Sequence, residues 1–183
     1  MALKATIYKI NLSVSDMDRG YYGEHALTVA KHPSESEERM MIRVLAYAMS
    51  YPADDTQGTL EFAKGLWEVD EPELWHKDFT GAIQHWIDLG QPDADRMKRV
   101  AARTAKCSVW AFASSTPIWW EGVKNTVARL QNLSVFYVPY LQSQALAALA
   151  ARALSLQVMV QDGNLYVSSD TDNVEIRIET LKP

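Results

Sequence analysis

Residues 83–90 read Ile83-Gln84-His85-Trp86-Ile87-Asp88-Leu89-Gly90, an apolar run with the length of one β-strand. Its acid, Asp88, is unusual because aspartate is depleted in strands. In an open α/β sheet, the carboxyl end of a strand is where ligand sites usually form. Asp88 is therefore the first candidate site residue.

Apolar periodicity and turn residues predict strands and helices on both sides of this run. The predicted strands are residues 5–14, 26–30, 60–69, 74–76, 82–89, 107–113, 133–138, 156–160, 165–167 and 174–178, and the predicted helices are residues 35–50, 92–106, 117–130 and 142–153. The spacing Ser34-x-x-Glu37 indicates a capping box at the first helix. Mixed elements over 183 residues predict one α/β domain, residues 1–183.

Composition narrows the class of protein. The single cysteine, Cys107, cannot form an internal disulfide, which indicates a reducing cytoplasm. Cys107 begins a predicted strand that is apolar enough to be buried, so we expect it to be a core residue. A net charge of −5 disfavours non-specific coating of nucleic acid but permits a local basic patch. The sequence lacks a glycine-rich phosphate motif, a secretion signal and an apolar stretch of roughly 20 residues. We therefore expect a cytoplasmic protein without a membrane span.

Two further acids occupy positions that favour a site. Glu38 falls at the centre of the apolar stripe of the first predicted helix. It either points towards the core or complements the helix dipole in the first turn. Glu73 precedes the strand paired with residues 82–89, where it either joins Asp88 or caps a turn.

The second predicted helix carries the candidate cations. Lys98 falls in the middle of its apolar face. Because an unpaired buried ammonium is costly, Lys98 either extends past the helix edge or faces a carboxylate. A separate stripe, either a solvated face or a contact to a phosphate backbone, consists of Arg96, Arg99, Arg103 and Lys106.

These side chains together predict a metal site. Clustered carboxylate oxygens bind hard cations such as Mg²⁺ or Mn²⁺, and a nearby lysine stabilises a developing phosphoryl anion. The four groups are expected within about 10 Å of one another, close enough to share one ion and its waters. The constellation favours metal-dependent phosphodiester chemistry by Glu38, Glu73, Asp88 and Lys98.

Several motifs occur in a fixed order along the whole chain. They are Met1 to Lys9, His32-Pro33-Ser34-Glu35, Glu38-Arg39-Met40-Met41, Pro72-Glu73 before Trp75, Trp86-Ile87-Asp88-Leu89-Gly90, Pro92-Asp93 leading to Lys98, and Ile118-Trp119-Trp120. In these motifs the chain resembles the bacterial YaeQ family. That family is similar to PD-(D/E)XK nucleases, whose core order of helix, three strands, helix and strand matches the predicted elements over residues 35–113. The resemblance implies an α/β, restriction-endonuclease-like mixed sheet flanked by helices, with N-terminal and C-terminal antiparallel strands.

The resemblance also implies roles for individual residues. Pro72-Glu73 corresponds to the "PD" pair and Asp88-Leu89-Gly90 to "(D/E)-x-K", with Gly90 at the lysine position. Lys98 would supply the displaced ammonium, and Glu38 resembles the helix-borne acid of some nucleases. The implied catalytic residues are Glu38, Glu73, Asp88 and Lys98, and the three acids are the implied ligands of Mg²⁺ or Mn²⁺.

Two functions follow from this reasoning. The first is a metal-dependent, nuclease-like protein that acts on or binds nucleic acid. The second is a non-enzymatic interaction or regulatory protein, with a protein partner, that retains the fold and a vestigial acidic pocket.

Overall fold

The first strand of the chain has a neighbour on each side. In the computed structural model, which describes residues 4–183, β1 (Thr6–Asp16) forms an antiparallel hairpin with β2 (Tyr21–Lys31). On its other side β1 pairs in parallel with β8 (Ala153–Gln161). Residues 1–3 of the N-terminal motif lie outside the described part. The predicted N-terminal strand pair is confirmed, with longer strands.

The described chain divides into two compact units. The first comprises the described residues up to Met49 together with Leu141–Ile178, and the second comprises Ser50–Tyr140 with Glu179–Pro183. Each unit has its own sheet. The predicted single domain of residues 1–183 stays a prediction.

The sheet of the first unit has five strands in the order β10-β9-β8-β1-β2, with β9 (Asn164–Ser168) and β10 (Asn173–Ile176) antiparallel to their neighbours. Buried and exposed side chains alternate along β8, so one face of this sheet is apolar and the other polar. The helices of this unit are α1 (Glu37–Ser50), which is buried on most sides, and most of α4 (Tyr140–Ala147).

The sheet of the second unit has six strands, β11-β7-β6-β5-β4-β3. Their bounds are β3 (Thr59–Phe62), β4 (Leu74–Lys77), β5 (Ile83–Leu89), β6 (Lys106–Ala111), β7 (Leu133–Tyr137) and β11 (Glu179–Lys182). The helices α2 (Ala94–Arg103) and α3 (Thr116–Val127) pack against each other, and buried side chains of both join the core around Trp86. Cys107 belongs to that core, as expected, and burial raises the pKa of its thiol to about 11.

Some predicted elements are wrong. Ser36, not Ser34, caps α1, because the Ser36 hydroxyl accepts from the Arg39 N–H at 3.1 Å. Residues 63–69 form a loop with a short 3₁₀ turn instead of the end of a strand. The C-terminal strand β11 was missed, and α4 ends before the predicted residue 153. None of the helices in residues 4–183 combines the length and the apolar character needed to cross a membrane.

Candidate functional site

Asp88 lies near the end of β5, as predicted, and its carboxylate is buried with 6% of the residue exposed. Alternation along the strand puts Asp88 on the same face as Trp86, two residues earlier. The Trp86 indole N–H donates to Asp88 Oδ1 at 3.0 Å. Asp88 is thus held by its own strand before any other element contributes.

Arg96 supplies the positive charge that Asp88 needs. Its Nε donates to Asp88 Oδ2 at 2.8 Å and its Nη2 to Oδ1 at 3.0 Å, so the pair is bidentate. Asp93 places this side chain by capping α2, since its carboxylate accepts from the Arg96 backbone N–H at 2.7 Å. One residue near the first turn of α2 therefore neutralises the central acid of the predicted site.

Arg96 also holds the loop that precedes β4. Its Nη1 donates to the Val69 carbonyl at 2.7 Å and its Nη2 to the Glu71 carbonyl at 3.2 Å. Hydrogen bonding to Asp88 raises the pKa of the Arg96 guanidinium above its ordinary value, and burial opposes this shift. The guanidinium is therefore a permanent cation that joins strand β5, helix α2 and loop 63–72.

Glu73 stands at the end of that loop and is buried. Its backbone N–H donates to the Ile87 carbonyl at 3.0 Å, and its carbonyl accepts from the Ala63 N–H at 3.0 Å. These bonds place Glu73 beside the strand that carries Asp88. The negative charge of Glu73 also raises the pKa of Arg96, so the two acids share one cation. Glu73 and Asp88 thus belong to one site in the second unit.

Gly90 occupies the position where the nuclease motif has its lysine. Its φ is +87°, a conformation that favours glycine, and its N–H donates to the Trp110 carbonyl at 2.9 Å. The chain turns away from the sheet at this residue. A lysine here would be strained, which gives a physical reason for the departure from the motif.

The interpretation that Lys98 lies in the middle of the apolar face of α2 is wrong. Lys98 is exposed, whereas Met97 and Val100 are the buried residues of this helix. The expected apolar face consisted of Met97, Ala101, Ala102 and Ala105, of which Ala102 is exposed and Ala105 lies beyond the helix. Alanine tolerates exposure, so the larger Met97 and Val100 mark the buried face more reliably.

Glu38 belongs to the first unit and is half-buried near the start of α1. Its carboxylate accepts a hydrogen bond from the hydroxyl of Ser143, a fully buried residue on α4. The expectation that Glu38 points inward is thus confirmed within this unit. A shared role with Glu73 and Asp88 stays a prediction.

The carboxylates as placed do not fit a divalent cation. The oxygens of Asp88 already accept three hydrogen bonds, two of them from a guanidinium that neutralises the charge. A metal ion at oxygen distances of roughly 2.0–2.6 Å would have to displace Arg96. Within residues 4–183, no group of three or more His, Cys, Asp or Glu side chains is arranged to hold a metal ion. The Mg²⁺ or Mn²⁺ site stays a prediction.

The sequence pattern places Arg96 in a solvated or phosphate-facing stripe and does not indicate its pairing with Asp88. A signal was present, because Asp93 follows Pro92 and is a strong helix-capping residue. Starting the helix at residue 94 puts Arg96 in its first turn, beside the end of β5. No comparable pattern in the sequence indicates that residues 63–72 form a long loop, which Arg96 also holds.

Over residues 4–183, the fold and this site define a mixed α/β protein with two mixed sheets, four α-helices and a buried acid–arginine pair. The family model described as YaeQ protein matches residues 1–178. The chain is 40% identical over 179 residues to YaeQ of Escherichia coli (strain K12), covering 97% of this chain and 96% of that protein. YaeQ of Salmonella typhi is 41% identical over the same length, with the same coverage.

Solved structures agree with these sequence comparisons. The crystal structure of YaeQ protein from Xanthomonas axonopodis pv. citri matches with a TM-score of 0.91 and 40% identity, covering 97% of this chain and 98% of that one. The YaeQ structure from Pseudomonas syringae matches with a TM-score of 0.90 and 37% identity, covering 98% and 97%. The chain therefore belongs to the YaeQ family, as its motifs predicted, and these relatives are bacterial.

Proposed function

We propose that this chain is a restriction-endonuclease-like protein of the cytoplasm that binds nucleic acid without cleaving it. The observation that carries the proposal is the bidentate Arg96–Asp88 pair, at 2.8 and 3.0 Å, in the place where a nuclease needs a metal-binding carboxylate. The proposal that the ligand is nucleic acid depends on the basic surface beside this pair.

The order of elements along the chain supports the nuclease-like assignment. Helix α1 is followed by β3, β4 and β5, then by α2 and β6, which is the order helix, three strands, helix, strand. Glu73 precedes β4 and Asp88 lies near the end of β5, at the positions that the resemblance implies. A fold carries no activity by itself, so the chemistry depends on the side chains present.

Those side chains favour binding over cleavage. Metal-dependent phosphodiester hydrolysis needs carboxylates that are open to a cation and a cation near the attacked phosphate. Here Arg96 neutralises Asp88, and Gly90 replaces the motif lysine in a conformation that favours glycine. Breaking the pair would leave a buried carboxylate without its partner, which costs about 3–5 kcal/mol. Displacement of Arg96 by a metal is therefore disfavoured.

A basic patch in the second unit supports nucleic acid as the ligand. We define the basic patch as the exposed residues Arg99, Arg103 and Lys106. The Arg103 guanidinium lies 4.9 Å from the centre of the Trp86 ring, a distance typical of a cation–π contact. Such a stacked guanidinium is held in place while its outer N–H groups can donate to phosphate. The patch is local, so it is compatible with the net charge of −5.

The test is fluorescence anisotropy with labelled single- and double-stranded DNA and RNA, measured over a range of salt concentrations. We expect salt-sensitive binding by the wild type and weaker binding by Arg99→Ala with Arg103→Ala. The slope of log K against log salt should become shallower by about 0.7 to 0.9 for each phosphate contact removed. The matched control, Lys124→Ala with Arg129→Ala, removes the same charge from α3 and the turn after it and should bind like the wild type.

A second measurement separates binding from cleavage. The same labelled strands are incubated with the wild type and with Asp88→Asn in millimolar Mn²⁺ or Mg²⁺. We expect intact strands in both cases. Cleavage by the wild type that is lost in Asp88→Asn would establish the catalytic alternative. Equal binding by both double variants would overturn the basic patch as the contact surface. No binding at low salt would overturn nucleic acid as the ligand and favour a protein partner.

A further inference from the structure

A polar groove lies on the outer face of the sheet of the first unit. Its volume is about 420 Å³, within the range of roughly 300–1,000 Å³ that ligand pockets occupy. The polar side chains on its floor, which we call the groove residues, come from β1, β2 and β8. They are Asn11, Ser13, Glu24, Ser155 and Gln157.

Strand register explains why these groups converge. Ser13 lies between Glu24 on β2 and Gln157 on β8, and these residues form one cross-strand row. Asn11 and Ser155 are partners in the next row. Neighbouring strands are about 4.8 Å apart, and residues two apart on one strand are about 6.7 Å apart. The groove residues therefore form a regular grid of polar groups on one face of the sheet.

The hydrogen-bonding capacity of this grid is unused within the described chain. In residues 4–183, no hydrogen bond or ion pair involves the side chain of any groove residue. Farther along the same face, polar side chains do bond to one another, since Lys9 Nζ donates to the Thr28 hydroxyl at 2.8 Å. The groove residues thus present amide, hydroxyl and carboxylate groups to whatever occupies the groove.

The chemistry of the lining limits the class of ligand. No lysine or arginine lines the groove, and Glu24 is its one acid, so phosphates and other anions are disfavoured. Ala26 is the one apolar side chain on the outer face of the lining, so a lipid would gain little. Amide and hydroxyl groups both donate and accept, as the hydroxyls of a sugar do. A neutral polyhydroxylated ligand matches this surface.

Two exposed tyrosines add a second feature of such a site. Tyr22 and Tyr166 are 64% and 40% exposed. They belong to one cross-strand row on the outer face, in which Ser15 and Met159 lie between them. That row is one step along the strands from the row of Ser13. Tyrosine rings at the edge of a polar groove offer apolar faces to the C–H groups of a sugar ring.

We propose that the groove residues bind a neutral saccharide, with Tyr22 and Tyr166 at one edge of the site. The site uses only the first unit, whereas the basic patch belongs to the second. It therefore stands independently of the proposed binding of nucleic acid. Loss of one activity would leave the other testable in the same protein.

The experiment is a titration of the ¹⁵N-labelled full chain with maltotriose and tri-N-acetylchitotriose, followed by NMR. At least one neutral sugar should shift amide signals of β1, β2 and β8. Gln157→Ala should weaken its binding about threefold to tenfold, because one hydrogen-bonding partner is lost. The matched control is Gln161→Ala, since Gln161 is an exposed glutamine on the same face of β8 outside the groove. This control should bind like the wild type.

A negatively charged sugar provides a second, independent test of the same proposal. Trigalacturonic acid should bind more weakly than the neutral sugars, because Glu24 repels its carboxylates, and Glu24→Gln should reduce that difference. The proposal is overturned if neither neutral sugar shifts these strands, if both glutamine variants lose binding equally, or if the anionic sugar binds as well as the neutral ones.

Discussion

The backbone of Gly65 lies directly against the carboxylate of Glu73, so that a Cβ added at Gly65 would come within 2.8 Å of Glu73 Cδ. Gly65 has a φ of +53°, where glycine is favoured. Its N–H donates to the Pro72 carbonyl at 3.0 Å. Loop 63–72 therefore closes tightly around a buried acid, and a side chain at position 65 would force the Glu73 carboxylate to move.

Gly65→Ala should destabilise the protein by about 2 to 4 kcal/mol, because the strain of a positive φ adds to the collision with Glu73. The measurement is urea unfolding followed by tryptophan fluorescence. The control is Gly81→Ala, where φ is +87° but no heavy atom lies within 4 Å of the added Cβ. Gly81→Ala should cost about 1 to 2 kcal/mol, which is the strain alone. Equal losses in the two variants would contradict the close contact.

Arg96→Met should lower the free energy of unfolding by about 3–5 kcal/mol, because Asp88 would be buried without its partner. Arg99→Met removes an exposed arginine from the same helix and should change stability by about 0.5 kcal/mol or less. Chemical unfolding of both variants gives the comparison. Adding Asp88→Asn to Arg96→Met should restore part of the loss, since no buried charge then remains. A loss in Arg96→Met as small as in Arg99→Met would show that the pair is not needed for stability.

Divalent cations should raise the melting temperature of the wild type no more than they raise that of Asp88→Asn. A cation that bound Asp88 in the folded state at 100 times its Kd would stabilise the wild type by about 2.7 kcal/mol. Arg96 already holds both oxygens of that carboxylate, so we expect no such difference. Thermal melts with and without millimolar Mn²⁺ or Mg²⁺ provide the measurement. A rise seen in the wild type and lost in Asp88→Asn would establish a metal site at this residue.

Stability should fall in mild acid because of His85. Its ring Nε2 lies 2.7 Å from the Ser108 hydroxyl, and burial lowers the pKa of His85 to about 3 from an ordinary value of 6.5. The folded state therefore holds this ring neutral, whereas the unfolded chain takes up a proton below pH 6.5. This stabilisation is complete above pH 6.5 and is lost progressively as the pH falls towards 3.

Between pH 7 and pH 5 the loss from this one ring amounts to up to about 2 kcal/mol. Urea unfolding at the two pH values, for the wild type and for His85→Gln, measures it. The glutamine variant keeps a polar partner for Ser108 but has no proton to bind, so its stability should change less over this interval. An identical pH dependence in the two proteins would show that other groups cause the fall.

The sequence predicted those parts of the fold that local pattern controls. Alternation over residues 5–14 indicated the first strand, and the apolar run at residues 83–90 put Asp88 near a strand end. The same kind of local pattern predicts a strand through residues 60–69. That extension is wrong because Arg96, distant in sequence, fixes the Val69 carbonyl, and because Gly65 turns the chain. Contacts with residues distant in sequence do not alter the hydrophobic periodicity of the segment itself, so they cannot be predicted from that periodicity.

The candidate site shows the same limit. Its acids were found, since a carboxylate in an apolar segment is conspicuous, but the cation beside them was assigned to Lys98. A helical wheel gives the direction of a side chain only when the buried face is known, and the three alanines of the expected face obscured it. Arg96 reaches Asp88 because Asp93 fixes where the helix begins, which is a property of its end and not of its period.

The parallel pairing of β1 with β8 has a consequence for how the chain is made. On the ribosome, the N-terminal hairpin emerges with one edge of β1 open, and its partner cannot form until residues 153–161 have been synthesised. At bacterial rates of translation this interval is on the order of ten seconds. The second unit is interrupted too, because β11 follows the strands of the first unit along the chain. Each sheet therefore closes only after a long intervening segment has been synthesised, which favours slow folding governed by contacts between distant segments.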